Sequence, residues 1–172
     1  QGSGTYVAAN PIPSITRALT LSATAEEDPV LHLFEVREPL EIMAARLAAR
    51  RRSDAQVDII RQHADATAAA AAADDVAAFS KTDHAFHRAV AEAAGNPYLV
   101  VINSAVRELL SDTVALIVQI AGSMAVAAEQ HARIVDAIAR CEPEEAAQAM
   151  ADHVRYSENA ARELLSRPPA ER

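Results

Sequence analysis

The chain has 172 residues, of which 51% are apolar and 3% aromatic, and it carries a formal net charge of -8. This length suits one compact domain, and the scarcity of aromatic residues and glycine excludes a strand-rich fold and favours close-packed helices. The basic residues are scattered among acidic ones, which excludes a basic surface that binds nucleic acid directly. Its single cysteine, Cys141, excludes internal disulfides, and no apolar run approaches the roughly 20 residues that span a bilayer. We therefore expect a cytoplasmic protein without a membrane segment.

Residues 1–28 are typical of an irregular linker that leads into a domain. Pro11 and Pro13 both break helices and lack the amide hydrogen that a strand ladder needs. Thr5 to Val7 have strand character, yet no later segment could pair with them. We expect these first residues to be the remnant of a structure that lies upstream.

The next segments predict two helices. The first begins at Asp28-Pro29, where an N-cap acid precedes proline at the first helical position, and it runs to Arg51. The second begins with a capping box at Ser53 to Gln56 and ends near Ala73. Both carry apolar residues at helical spacing.

Four further helices complete a domain that we assign to residues 29–166. The third helix ends at Gly95, a residue suited to the left-handed position after a helix. Asn96-Pro97 begins the fourth, which is apolar nearly all round and runs to about Ala121. The fifth runs to about Arg140 and the sixth ends before two prolines, which leaves residues 167–172 as a disordered tail. Short turns between six helices predict an all-α, antiparallel bundle.

Four metal-ligating residues are predicted to meet inside this bundle. Asp83 and His87 lie one turn apart on the inward stripe of the third helix. Counting about 1.5 Å per residue from the turns at one end of the bundle places them at the depth of His131 on the fifth helix and His153 on the sixth. Both of these histidines also belong to apolar stripes, so all four side chains should face one another.

A shared metal ion explains why these groups would be buried together. Unpaired burial would cost several kcal/mol, whereas coordination satisfies one nitrogen of each ring and neutralises the carboxylate. Oxygen and imidazole ligands suit Zn, Ni, Co, Fe or Mn, with Zn or Ni favoured. An octahedral ion with these four ligands keeps two positions open for water or a bidentate carboxylate. His84 shares its helix face with polar residues, and for His32 and His63 we expect no second metal-ligating residue at a matching depth.

Two charged residues interrupt the apolar stripe of the first helix. Arg37 is placed one turn beyond the metal layer, where its guanidinium could bind a carboxylate on the metal or pair with Glu41 at i, i+4. Both alternatives stay open. Glu41 is placed near the depth of the metal layer and is a candidate to support a metal ligand from behind.

Several short segments together carry a more specific pattern: Glu35 to Glu41, Ala44 to Ala49, Asp83 to His87, Gly95 to Leu99, Glu129 to Ile134, and Met150 to His153. This pattern resembles the GntR family of bacterial transcription regulators, specifically the effector-binding domain of its FadR subfamily, the FCD domain. The resemblance covers about residues 30–165, most of the chain.

The resemblance implies both a ligand and a partner domain. The metal would be held by Asp83, His87, His131 and His153, with a small carboxylate effector placed against it. The segment before Asn10 would be the last strand of a winged-helix wing, so that DNA is bound only through an upstream domain absent from this chain. Effector binding would then change the geometry of paired DNA-binding domains in a homodimer.

Two other functions compete with this interpretation. Metal-dependent transferases of the DinB type also place three histidines in a helical bundle. We find no spare base except Glu41, so we expect no enzyme. A metal-free bundle that serves only as an interaction module is the third alternative.

Overall fold

The computed structural model describes residues 11–23, 29–120 and 122–167, and these ranges are all-α, as predicted. They form eight helices: α1 Ile12–Ala23, α2 Pro29–Arg51, α3 Asp54–Ala72, α4 Val76–Ala93, α5 Pro97–Leu109, α6 Ser111–Ile117, α7 Ser123–Ala139 and α8 Pro143–Ser166. None of these helices is long and apolar enough to span a bilayer. The predicted wing strand before Asn10 and the predicted tail from Pro168 onward lie outside the described residues.

Local sequence signals set several helix ends. The Ser53 side chain accepts the Gln56 amide proton and the Gln56 side chain accepts the Ser53 amide proton, which forms the predicted capping box. Asn96 caps α5 by accepting from the amides of Tyr98 and Leu99. Gly95 has a φ of 66°, a left-handed conformation that favours glycine. These signals set the turn between α2 and α3 and the turn between α4 and α5.

Two elements differ from the sequence prediction. Residues Ile12 to Ala23 form α1, where an irregular linker was expected. Pro13 lies in its first turn, a position in which the missing amide hydrogen has no helical partner to lose. The fourth predicted helix is two helices, because the chain turns at Leu110, which has a φ of -90° and a ψ of -1°. The α6 segment can therefore take its own direction over the side of the bundle.

Five long helices pack around one core. α2 packs against α8 and α4, α3 packs against α4 and α7, and α7 packs against α8. Fully buried Phe34, Phe86, Ile134 and Met150 lie between them. On the outside, α1 packs against α5, where the Thr16 hydroxyl donates a 3.0 Å hydrogen bond to a carboxylate oxygen of Glu108.

Candidate metal centre

The four predicted ligands form one buried cluster. Asp83 and His87 extend from α4, His131 from α7 and His153 from α8, and one ligand atom from each lies within 4.8 Å of all the others. Their exposed fractions are 5%, 0%, 0% and 2%. The convergence that the sequence predicted is therefore present in the fold.

Each pair of ligands owes its placement to a local feature. Asp83 and His87 are one helical turn apart, so their side chains share the inward face of α4. His131 and His153 lie equally far along the chain on either side of Glu142, in the turn that joins α7 to α8. Cys141 in that turn has a φ of 57° and reverses the chain tightly. The two histidines consequently reach the same level of the bundle.

Two polar residues orient the rings of His87 and His153. Glu41 Oε2 lies 2.6 Å from His87 Nδ1, and Gln130 Oε1 lies 3.0 Å from His153 Nδ1. Because these oxygens accept hydrogen bonds, each Nδ1 carries the ring proton and each Nε2 exposes a lone pair. This arrangement of an imidazole between an oxygen acceptor and a metal is common for metal-binding histidines.

The lone pairs then converge on one point. Nε2 of His87 and Nε2 of His153 are 3.2 Å apart. Asp83 Oδ1 lies 3.4 Å from His131 Nε2 and 3.7 Å from His87 Nε2. Both ring nitrogens of His131 are buried without a hydrogen-bond partner. Ligand atoms at about 2.0–2.1 Å from one metal ion are separated by about 2.9 Å at neighbouring octahedral positions and by about 3.4 Å in a tetrahedron. The observed separations are close to these values, so the four residues fit a single divalent cation.

The structure adds a residue that the sequence prediction missed. Arg107 on α5 is buried, donating to Asp83 Oδ2 at 2.6 Å and to Glu41 Oε1 at 3.1 Å. Its contact with Oδ2 leaves Asp83 Oδ1 directed at the histidines. The only signal in the sequence is a lone arginine within a helix that is otherwise apolar nearly all round.

Arg37 forms one of the two contacts that the sequence left open, the pair with Glu41, and its binding of a carboxylate on the metal stays a prediction. Its Nε donates to Glu41 Oε1 at 3.1 Å, which is the predicted i, i+4 pair, and its guanidinium stacks 5.6 Å above the ring of Phe34. It also lines a cavity beside the cluster. Glu41 thus accepts from Arg37, Arg107 and His87, the last of which it supports from behind as expected.

Both buried carboxylates remain ionised. Burial acts to raise the pKa of Asp83, but the charge of Arg107 holds it well below its ordinary value. Burial acts on Glu41 in the same direction, and there His87, Arg107 and Arg37 hold the pKa well below the ordinary value. The negative charges of Asp83 and Glu41 balance the positive charges of Arg37 and Arg107. The buried cluster therefore has no net charge when its histidines are neutral.

The three histidines are neutral near pH 7 and so are competent ligands. Burial lowers the pKa of His131 to about 3. Burial and the neighbouring His131 and His87 place the pKa of His153 well below its ordinary value. Burial and Arg107 lower the pKa of His87. Metal binding requires the unprotonated imidazole, which this environment favours.

A small pocket of about 20 Å³, with room for about one water molecule, lies beside the cluster. Asp83, His153 and Arg37 line it on the metal side. Its remaining walls combine apolar and hydroxyl side chains: Phe79, Val114, Ile117, Val118, Ser123, Ala127, Tyr156 and Ser157. Val114 and Ile117 of this apolar wall come from α6, the helix that follows the break at Leu110.

The other histidines stand apart from this cluster. His84 and His32 are exposed and His63 is half-buried. The group of Asp83, His87, His131 and His153 includes none of them. The placement of His32, His63 and His84 outside the cluster agrees with the sequence prediction.

Several known proteins are similar to this chain in sequence or fold. The family model described as "FCD domain" matches residues 32–156. The chain is 31% identical over 159 residues to the HTH-type transcriptional regulator LutR of Bacillus subtilis, covering 90% of this chain and 72% of that protein. It is 32% identical over 127 residues to the HTH-type transcriptional repressor NanR of Escherichia coli, covering 73% of this chain and 48% of that protein.

A solved structure agrees with the sequence matches. The structure titled "Streptococcus agalactiae GntR" aligns with a TM-score of 0.66 and 25% identity, over 92% of this chain and 72% of that one. The curated relatives are transcriptional regulators rather than enzymes, in agreement with the sequence prediction.

Proposed function

Because this chain belongs to the FCD domains of GntR-family transcription regulators, we propose that it senses a small carboxylate effector at a buried divalent metal. The ligands of that metal are Asp83, His87, His131 and His153. The observation that carries the proposal is the pair of imidazole nitrogens, on His87 and His153, that face each other at 3.2 Å with their protons directed elsewhere. Two lone pairs at that distance repel each other unless a cation lies between them.

The donor set favours a borderline transition metal. Three imidazole nitrogens and one carboxylate oxygen suit Zn, Ni, Co, Fe or Mn, and we favour Zn or Ni. Asp83 contributes one oxygen because Arg107 holds the other. When bound, the metal supplies a Lewis-acidic centre with positions that water or a carboxylate can fill.

The charge of the site supports an anionic effector. The metal-free cluster is neutral, so a divalent ion brings a charge of two to a region shielded from water. A carboxylate on the ion compensates part of that charge. Arg37 lines the cavity on the same side, and a guanidinium binds carboxylates in a planar, two-point contact.

The metal is tested first by elemental analysis of purified protein. We expect about one divalent ion per chain in the wild type and in His84→Ala, which alters an exposed histidine beside Asp83. We expect none in His131→Ala, with helical content checked by circular dichroism. A wild-type protein free of metal after purification and after zinc loading would exclude the metal centre.

The effector is tested by calorimetric titration with a panel of small mono- and dicarboxylates. Heat of binding is expected with metal-loaded protein and not with chelator-treated protein. Equal affinity in the two forms would show that carboxylates bind without the metal. No binding to the loaded form would leave a structural metal and reject the carboxylate sensor.

The output of sensing is proposed at the level of the whole regulator. A winged-helix domain upstream of this chain binds DNA, and effector binding in a homodimer changes the relative placement of two such domains. Sedimentation analysis should give twice the monomer mass. Operator binding by the full-length regulator should change when the effector is added, and an unchanged affinity would reject this part.

The enzyme alternative loses its one candidate base. Glu41 is fully buried and accepts hydrogen bonds from Arg37, His87 and Arg107, while its pKa lies well below the ordinary value. A carboxylate held in this way is a poor proton acceptor near neutral pH.

A further inference from the structure

Next to the metal cluster, two buried polar side-chain atoms of α5 lack hydrogen-bond partners. They are the side-chain oxygen Oδ1 of Asn103 and the Nε of Arg107. Asn103 is 2% exposed and Arg107 is 8% exposed. Buried polar atoms without partners are uncommon and costly, so this pair calls for an explanation.

The two atoms have matching chemistry and a shared location. Arg107 Nε–H can only donate, whereas the carbonyl oxygen of Asn103 can only accept. The residues are one helical turn apart on α5, and both line one narrow pocket that also contains His87. That pocket has no room for a water molecule, so a small rotation of the two side chains towards each other is the direct way to satisfy both.

We propose that Asn103 is a positioning residue for the metal site. It accepts a hydrogen bond from Arg107 Nε and thereby keeps the guanidinium in contact with Oδ2, and not with Oδ1, of Asp83. Arg107 already uses its terminal nitrogens on Glu41 and Asp83. A third hydrogen bond, from Nε, prevents the planar guanidinium from rotating. Asp83 Oδ1 then stays available to the metal, 3.4 Å from His131 Nε2.

The consequence of losing Asn103 follows from the geometry of arginine. Without the hydrogen bond from Nε, the guanidinium of Arg107 can rotate and donate to both oxygens of Asp83. Such a two-point contact is the preferred geometry between arginine and a carboxylate. It would then compete with the metal for Asp83 Oδ1. This inference rests on the proposed metal centre, but its first measurement does not require a metal.

The first test uses the Arg Nε–H resonances of chelator-treated protein. The Arg107 Nε–H signal is expected to move when Asn103→Leu replaces the acceptor with an apolar group of similar size. Asn103→Asp, which keeps an oxygen in place, should preserve the hydrogen-bonded signal. Arg37 provides an internal control, since its Nε–H donates to Glu41. An Arg107 signal that Asn103→Leu leaves unmoved would overturn the proposal, whether or not the protein binds metal.

The second test measures zinc affinity by competition with a chelator. Asn103→Leu should weaken zinc binding about tenfold, as expected for a residue that supports a ligand from outside the coordination shell. In an Arg107→Met background the same substitution should have no effect, because the competing guanidinium is gone. Ser104→Ala, in the same pocket, should bind zinc normally. Equal weakening in both backgrounds would show that Asn103 acts through general stability.

Discussion

Replacing Arg107 with methionine should destabilise the metal-free protein by about 4 kcal/mol. Arg107 donates to Asp83 and Glu41, and all three side chains are buried. Removing one partner of a buried ion pair costs about 3–5 kcal/mol, because the remaining charge is left uncompensated. Glu41 keeps Arg37 and His87, so Asp83 is the group that loses its compensation.

The test is urea denaturation followed by circular dichroism, in chelator and in excess zinc. In zinc we expect the loss to shrink to below about 2 kcal/mol, because the divalent ion supplies positive charge beside Asp83 and stabilises the folded state that binds it. Arg133→Met, at an exposed position of α7, is the control and should change stability by less than about 0.5 kcal/mol. An equal loss with and without zinc, or a loss below about 1 kcal/mol in chelator, would refute this electrostatic account.

Three further substitutions or conditions give separate outcomes. Chelator-treated protein should lose stability from pH 7 to pH 5, because the unfolded chain takes up protons below about pH 6.5 while burial lowers the pKa of His131 to about 3; each such histidine contributes at most about 1.4 kcal/mol per pH unit. Denaturation at each pH measures this slope, which His131→Phe should flatten, and a flat wild-type profile would contradict it. Glu41→Gln removes the charge that faces His87 Nδ1 and should weaken zinc binding about tenfold in chelator competition; wild-type affinity would deny Glu41 its supporting role. Arg37→Met should weaken carboxylate binding at least about tenfold in calorimetry while metal content stays unchanged, and an unaltered carboxylate affinity would remove Arg37 from the effector site.

The ligand positions were accessible from the sequence because they depend on short-range geometry. Asp83 and His87 needed only the period of a helix. His131 and His153 needed only equal spacing from the turn at Glu142 and an inward stripe on each helix. Periodicity and depth together were enough to place the four ligands, because two helices joined by a short turn begin at the same level of the bundle. Equal numbers of residues from the turn then correspond to equal depths.

Two residues that contact the ligands, Arg107 and Gln130, could not be predicted in the same way. Arg107 lies in a helix whose apolar residues do not follow one clear stripe, so periodicity could not say which way its side chain faces. Gln130 sits beside His131 along the chain, yet it contacts His153 on another helix. Such contacts depend on the rotation of neighbouring helices, which a one-dimensional pattern does not encode.

Proline misled the prediction at the start of the chain. Pro13 was interpreted as a helix breaker, but it occupies the first turn of α1, where proline is tolerated. The break at Leu110 was missed for the opposite reason, since no glycine or proline marks it. In both places the position of a residue within its helix mattered more than its intrinsic propensity.

The charge balance of the cluster bears on whether the domain folds before or after it binds a metal ion. Zinc fingers remain unfolded until metal arrives, because their ligands have no other way to be satisfied. Here Arg37 and Arg107 already neutralise Glu41 and Asp83, so we expect newly made chains to fold first and acquire metal afterwards. Under the proposed function, the cellular supply of the ion would then set the fraction of regulator able to respond to an effector, while the amount of folded regulator stays constant.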